Sequence, residues 1–266
     1  MGFVRELFGN RKLIMNLAKS DFKTKYAGSF LGIIWAFVQP VITVIVYSIV
    51  FQCVFAQPDI GEVPYVLWLI TGLVPWFFFN DALNGGTSAL LEYSYLVKKV
   101  VFKISILPIV KIISALFVHL FFICFTIVIY AVCGVLPGFY ALQIIYYMIC
   151  AFLLTLGLAY TTSAVVIFFR DLSQIISIVL QVGVWVTPIM WNIDNPAFQI
   201  PDIVRKLLKL NPMYYIVCGY RDSMINKVWF WERPTLTLYF WGFTVVAFLL
   251  GTIIFKRLKI HFADVL

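Results

Sequence analysis

Phe168-Phe169-Arg170-Asp171-Leu172-Ser173-Gln174, running on without charge to Trp191, decides how this chain folds. Arg170 and Asp171 stand between two long apolar runs, residues 140–169 upstream and 175–191 downstream. A segment that crosses a bilayer satisfies its backbone as a helix and keeps charge out of hydrocarbon. The charged pair therefore marks a membrane surface, where a tight turn joins two spanning helices. On the second helix, Gln174, Ser177, Gln181, Trp185 and Pro188 recur at i, i+3, i+7, i+11 and i+14, which is one helical face. Such a stripe turns toward protein or a wet cavity rather than lipid. Helix–helix hydrogen bonding accounts for it as well as a transport path does. Pro188 is expected to bend or end the helix near the far surface.

Composition agrees with this reading. Of 266 residues, 63% are hydrophobic and 12% charged, and the mean hydropathy is +0.98, far more apolar than a water-soluble core requires. The net charge of +8 comes from basic residues scattered between apolar runs. They read as topology signals and lipid-headgroup contacts, not as a nucleic-acid face. Cys53, Cys124, Cys133, Cys150 and Cys218 have no metal-ligand spacing and read as small buried hydrophobes. The first residues show no cleavable signal pattern, so insertion is expected to rely on the first span.

The expected fold is an all-α polytopic membrane protein, a single transmembrane domain over residues 1–266. Residues 1–28 form an amino-terminal amphipathic helix at the interface, basic around an apolar face of Leu13, Leu17 and Phe22. Residues 29–191 hold spans one to five, at 30–55, 65–79, 104–135, 140–169 and 173–191. Residues 192–234 form an outer segment with short re-entrant helices, and 235–266 the sixth span and its tail. The first span carries Trp35, Gln39 and Thr43 on one face and Pro40 as a kink. The second is expected to bend at Pro75 and dissolve at Asn80-Asp81 and Gly85-Gly86, leaving residues 88–103 as a separate short helix. Lys111 is expected to snorkel to the surface. His119 is expected to bond another helix.

Six spans put both termini on one side, and the basic residues of the amino tail, the 88–103 loop, the Arg170 turn and the carboxyl tail make that side cytoplasmic. One segment disagrees. Residues 192–234 are placed outside yet hold Arg205, Lys206, Lys209, Arg221, Lys227 and Arg233.

Chemistry is conspicuous by omission. The sequence has no Gly-x-x-x-x-Gly-Lys-Ser/Thr phosphate loop, no His-Glu-x-x-His and no Gly-x-Ser-x-Gly. No catalytic residue and no metal site is expected. Acidic residues lie mostly in loops, which leaves little from which to build a proton relay. An ion-coupled flippase needs a mid-membrane ion site in repeated halves, and none is visible. A membrane transferase needs clustered acids, and Asp21, Asp81, Glu92 and Asp171 share no spacing. What remains is a pore-forming subunit driven by a partner.

The ordered blocks of the chain resemble the permease subunits of ABC-2 type polysaccharide exporters, the family that handles O-antigen, teichoic acid and related polymers. The resemblance is carried by residues 21–32 (Asp-Phe-Lys-Thr-Lys-Tyr-Ala-Gly-Ser-Phe-Leu-Gly) with Trp35 and Pro40, and by Gly72-Leu73-Val74-Pro75-Trp76. It continues through Leu96-Val97-Lys98-Lys99, Phe169-Arg170-Asp171-Leu172 with Thr187-Pro188, Leu210-Asn211-Pro212-Met213-Tyr214-Tyr215, and Phe262-Ala263-Asp264. It implies a homodimer in the cytoplasmic membrane of a bacterium, paired with two copies of a cytoplasmic ABC ATPase that would hold ATP and Mg; this chain would hold no cofactor. The cargo would be a lipid-linked polysaccharide. Residues 88–99, with Ser88, Leu91, Glu92, Tyr95, Lys98 and Lys99, would couple to the ATPase, and Pro212, Tyr214 and Tyr215 would belong to an outer gate.

The first and fifth spans would line the canal, with Trp35, Gln39, Thr43, Gln174, Ser177, Gln181 and Trp185 as its candidate residues. Aromatic planes pack on sugar C–H faces and amides meet hydroxyls, so a polymer slides over many weak sites. The tryptophans also suit an interfacial belt. Lys23, Lys25 and Arg170 are candidates to meet a lipid-linked pyrophosphate at the inner surface, and ordinary positive-inside residues would look the same. A rival within the same superfamily is a permease for a drug or small lipid.

Overall fold

The computed structural model describes residues 9–56, 58–60, 63–97, 103–135, 137–193 and 200–265. Among them the chain is helical, with one isolated bridge between Ile60 and Val63. The helices are α1 (Arg11–Lys25), α2 (Trp35–Ile49), α3 (Tyr65–Glu92), α4 (Leu107–Val132), α5 (Gln143–Val166), α6 (Leu172–Val186), α7 (Asp202–Lys209), α8 (Pro212–Arg221) and α9 (Pro234–Leu258). Single turns at Ser94–Val97 and Phe262–Val265 follow α3 and α9. Five helical stretches are long and apolar enough to cross a membrane: Gly32–Val54, Tyr65–Glu92, Ile104–Val132, Phe139–Val166 and Pro234–His261. This is a membrane protein.

The hub is α3, which packs on α2, α4, α5, α6 and α8. Its apolar window is 78% buried, against 17% for the Gly32–Val54 stretch, so α3 is lined by protein and α2 faces outward. Close approach is set by small residues. Gly157 and Gly251 meet where α5 crosses α9, and a Cβ on Gly251 would collide with the Gly157 carbonyl. Van der Waals packing of this kind replaces the missing hydrophobic drive between helices in lipid.

Several expectations are corrected. The second span does not dissolve at Asn80-Asp81 or Gly85-Gly86: α3 runs unbroken through Pro75 to Glu92. Its polar residues are satisfied sideways, since Asn84 receives the Ser177 hydroxyl (2.9 Å), Thr87 bonds Thr162 (2.7 Å) and Asp81 pairs with Lys25. Residues 88–92 therefore belong to this long helix rather than to a separate one. The packed face of α1 is centred on Ile14, Ala18 and Asp21 against α4, because Asp21 has a buried partner there; of the expected face, Leu17 and Phe22 are half-buried on its flank, Phe22 against Phe117, and Leu13 is exposed. That partner is Lys111, which turns inward instead of snorkelling. Cys53, Cys124 and Cys133 lie exposed on the outer surface of the bundle, where a thiol is apolar enough to face lipid; Cys150 is buried.

The fifth apolar helix is shorter than expected. Fifteen residues of α6 rise about 22 Å, less than a hydrocarbon core of about 30 Å. Thr187 leaves the helix in an extended conformation. Non-helical backbone in an apolar setting persists only where its carbonyls are satisfied by protein, and here they are. Arg221 donates from Nη1 to Pro188 O (2.7 Å) and from Nη2 to Ile189 O (2.6 Å), and the Tyr65 hydroxyl donates to Met190 O (2.5 Å). The guanidinium lies over the Trp68 ring, 3.3 Å from its centroid. Gly72 leaves it room, since a Cβ there would come 2.7 Å from Nη2.

Candidate functional site

The ends of the helices divide into two neighbourhoods. At the end carrying α1, a polar cavity of about 800 Å³ opens between α1, α3, α4 and the start of α6. Its walls include Asp21, Lys25, Asp81, Asn84, Ser88 and Glu92, with Lys111, Gln174 and Ser177 opposite. Lys111 lies 2.7 Å from Asp21 Oδ1 and 2.5 Å from Glu92 Oε2. The Tyr93 hydroxyl donates to the same Asp21 oxygen at 2.7 Å. This ties α1 to the end of α3 and the first turns of α4. Ser177 of α6 joins them through Asn84 Oδ1, at 2.9 Å.

A second cavity of about 370 Å³ lies deeper, lined by Trp35, Gln39, Thr43, Phe77, Phe78 and His119 among others. Lys25, Asp81 and Ala115 line both cavities. Burial draws the Lys25 ammonium down, and the Asp81 carboxylate more than offsets it, leaving the group above its ordinary value of 10.5. His119 shares a hydrogen bond with the Tyr220 hydroxyl (2.8 Å) and lies 4.8 Å from the Phe78 ring centroid, which is the helix–helix role expected of it.

The sequence-derived residues separate across this arrangement. Trp35, Gln39 and Thr43 line the deeper cavity, while Gln174 and Ser177 line the outer one. Gln181 and Trp185 line neither and lie exposed on α6; Trp185 approaches Tyr47 of α2, with ring centroids 6.2 Å apart. Within one chain the two stripes thus do not merge. Lys25 is in both walls, whereas Lys23 and Arg170 are exposed outside them. Ser88, Glu92 and Tyr95 line the outer cavity, Leu91 is half-buried on α3, and Lys98 and Lys99 lie outside the described residues.

At the opposite end, Pro212 starts α8, and Tyr214 and Tyr215 are buried. Tyr215 stacks on Phe240 at 4.8 Å and shares hydrogen bonds with Tyr146 (3.0 Å) and Thr237 (3.1 Å). Asp222, itself buried, receives Arg233 Nη2 at 3.0 Å and Asn226 at 2.8 Å. Two of the six basic residues that disagreed with the topology are thereby accounted for: Arg221 caps buried carbonyls and Arg233 is neutralised by Asp222.

Sequence reasoning missed both networks. A signal for Arg221 existed: a helix stopped by Thr187-Pro188 leaves orphan carbonyls that need a donor. A signal for Lys25 existed too, since an acid such as Asp81 inside a span requires a partner. Among the described residues, no group of His, Cys, Asp and Glu is arranged to hold a metal.

Residues 12–225 match the family described as ABC-2 type transporter. Similarity to individual proteins extends further along the chain. The O-antigen export system permease protein RfbA of Myxococcus xanthus is 29% identical over 218 residues, 82% of this chain and 82% of that protein. Two proteins of the same name from Klebsiella pneumoniae are 28% and 27% identical, each covering 96% of this chain and 95% of its own length. The chain belongs to the ABC-2 type transporter family and is a permease, the membrane-spanning transport component.

Proposed function

We propose that this permease exports a lipid-linked cell-surface polysaccharide, of O-antigen, teichoic acid or capsule-like type, across the cytoplasmic membrane of a bacterium. The observation that carries the reading is similarity to O-antigen export permeases over 82% to 96% of the chain. In this reading α6 and the extended residues after it complete a sixth crossing, and both termini are cytoplasmic. The basic end of the bundle, with α1 and its polar cavity, then faces the cytoplasm. Two copies of the chain pair with two copies of a cytoplasmic ATPase that holds ATP and Mg. The end of α3 and the residues that follow, from Ser88 to Lys99, meet that ATPase.

Trp35, Gln39 and Thr43, with Gln174, Ser177, Gln181 and Trp185, supply the canal surface once two copies face each other. Lys25, helped by Lys23 and Arg170, meets the pyrophosphate of the lipid carrier. Pro212, Tyr214 and Tyr215 hold the outer end shut. A permease for a small lipid or drug fits the fold as well, but the end-to-end similarity favours a polymer.

The test is twofold. Purified from native membranes in mild detergent, the chain should bring with it a stoichiometric subunit bearing a phosphate loop. Cells depleted of the chain should accumulate lipid-linked polymer inside. Replacing Trp35, Gln39, Gln181 and Trp185 by alanine should lower export and leave assembly with the ATPase intact. A chain that purifies alone, or depleted cells with unchanged surface polymer, would overturn the reading.

A further inference from the structure

The geometry points to the Lys25–Asp81 ion pair as a latch between the two cavities, released when a phosphate-bearing headgroup takes Asp81's place on Lys25. The inference rests on the polysaccharide-export reading and adds to it a means by which the carrier's headgroup opens its own way in. Three observations support it.

The first is position. Besides Ala115, Lys25 and Asp81 alone are shared by the walls of both cavities, so their contact stands at the junction between the outer cavity and the one lined by Trp35, Gln39 and Thr43. The second is availability. Of the two cations in the outer wall, Lys111 is held between Asp21 and Glu92 and its side chain is 11% exposed. Lys25 has one carboxylate and a side chain 42% exposed, with Asp81 at 36%. A solvent-accessible pair of this kind is weak and exchangeable. A phosphate or pyrophosphate offers more charge and more acceptor oxygens to an ammonium than one carboxylate does. Asp81, left behind, is solvated in the polar cavity.

The third is freedom to move. Lys25 is the last residue of α1, and the link from there to α2 passes through Gly28 at φ +96° and Gly32 at φ +51°. Both values suit glycine, and Lys25 lies a full turn beyond Asp21, the last buried residue of α1, so its side chain can change partner without disturbing the packed face at Ile14, Ala18 and Asp21. The latch is thus a short lever hinged beside a fixed clamp, and the clamp is the Lys111 bridge.

The test places a cysteine at Thr43, in the deeper cavity, on a background without the five native cysteines, in the permease–ATPase complex reconstituted in lipid. Labelling by a membrane-impermeant maleimide from the α1 side is timed. Asp81→Asn should speed labelling about two- to fivefold, the range set by an exposed ion pair. The charge-swapped Lys25→Asp/Asp81→Lys protein should label as slowly as the parent. A short-chain prenyl pyrophosphate should accelerate the parent but not Asp81→Asn. If inorganic pyrophosphate does the same, the phosphate chemistry alone releases the latch; if only the prenyl compound does, a membrane-anchored headgroup is required.

Labelling of Asp81→Asn at the parent rate, a charge-swapped protein as fast as the single variant, or no response to either probe overturns the latch. None of these outcomes touches the export reading, which is judged by polymer accumulation in cells. Loss of that reading would in turn leave the labelling rates standing.

Discussion

The two ends of the bundle solve the same problem in opposite ways. Each has charge next to apolar surroundings. At the α1 end the charges are paired across an open cavity of about 800 Å³, and half of the Glu92 side chain remains exposed. At the far end Arg221 is 6% exposed, bonded to two backbone carbonyls and stacked on Trp68. The first arrangement can exchange partners with water or a ligand at little cost. The second has no replacement for what it would lose. The difference fits the proposed roles, opening at the α1 end and sealing at the far end, and substitutions at the two should behave accordingly.

The largest effect is expected at Arg221. Arg221→Met fills the space but orphans the Pro188 and Ile189 carbonyls, at a cost of about 3–5 kcal/mol. The thermal midpoint of the purified complex should fall steeply, and Arg221→Lys, which cannot reach both carbonyls as a fork, should recover little of it. Next comes the glycine crossing of α5 and α9. Gly251→Leu must push the helices apart, since even a Cβ collides with Gly157, and should cost about 2–3 kcal/mol by the same measurement. A midpoint unchanged by Arg221→Met would mean that the far end is not the rigid half of the molecule.

These same places show what the sequence made legible. Apolar runs longer than a bilayer crossing revealed the spans, and the Arg170-Asp171 pair located the turn before α6. The interruption expected within α3 was misread because Asn80, Asp81, Gly85 and Gly86 look like a loop in isolation. Only lateral partners, Lys25 for Asp81 and Ala159 against Gly86, show that a helix can carry them. The face of α1 was legible only in part for a related reason: Leu17 and Phe22 do pack, but Asp21 looks polar until Lys111 neutralises it. For the candidate site, the stripe on α2 was readable by period, and the structure places it in one cavity. The stripe on α6 was equally readable, yet its far half faces away from both cavities. Periodicity reports which residues share a face, not what that face meets.

At the α1 end the expected effects are smaller. Lys111→Met leaves Asp21 buried with only the Tyr93 hydroxyl, so about 2 kcal/mol should be lost, less than for a fully buried pair because Glu92 is half in water. Glu92→Gln should cost well under 1 kcal/mol for that reason. A stability loss at Lys111 matching that at Arg221 would erase the distinction between the ends.

The smallest effects separate them most cleanly, because they need no substitution at either network. Raising salt from about 0.1 to 1 M shortens the screening length from about 10 to 3 Å. It should speed labelling of a cysteine at position 43 by loosening the Lys25–Asp81 pair, while the thermal midpoint set by the Arg221 network stays put. Alkali should do nothing comparable. Asp81 holds the Lys25 ammonium above its ordinary value of 10.5, so its contribution is fully present below that value and is lost only as pH rises past the raised one. The ratio of the Asp81→Asn rate to the parent rate, in which the thiol's own ionisation cancels, should therefore be flat from about pH 7 to 9. A ratio that falls toward one over that window would show that Lys25 loses its proton early, which an ammonium held by Asp81 does not do.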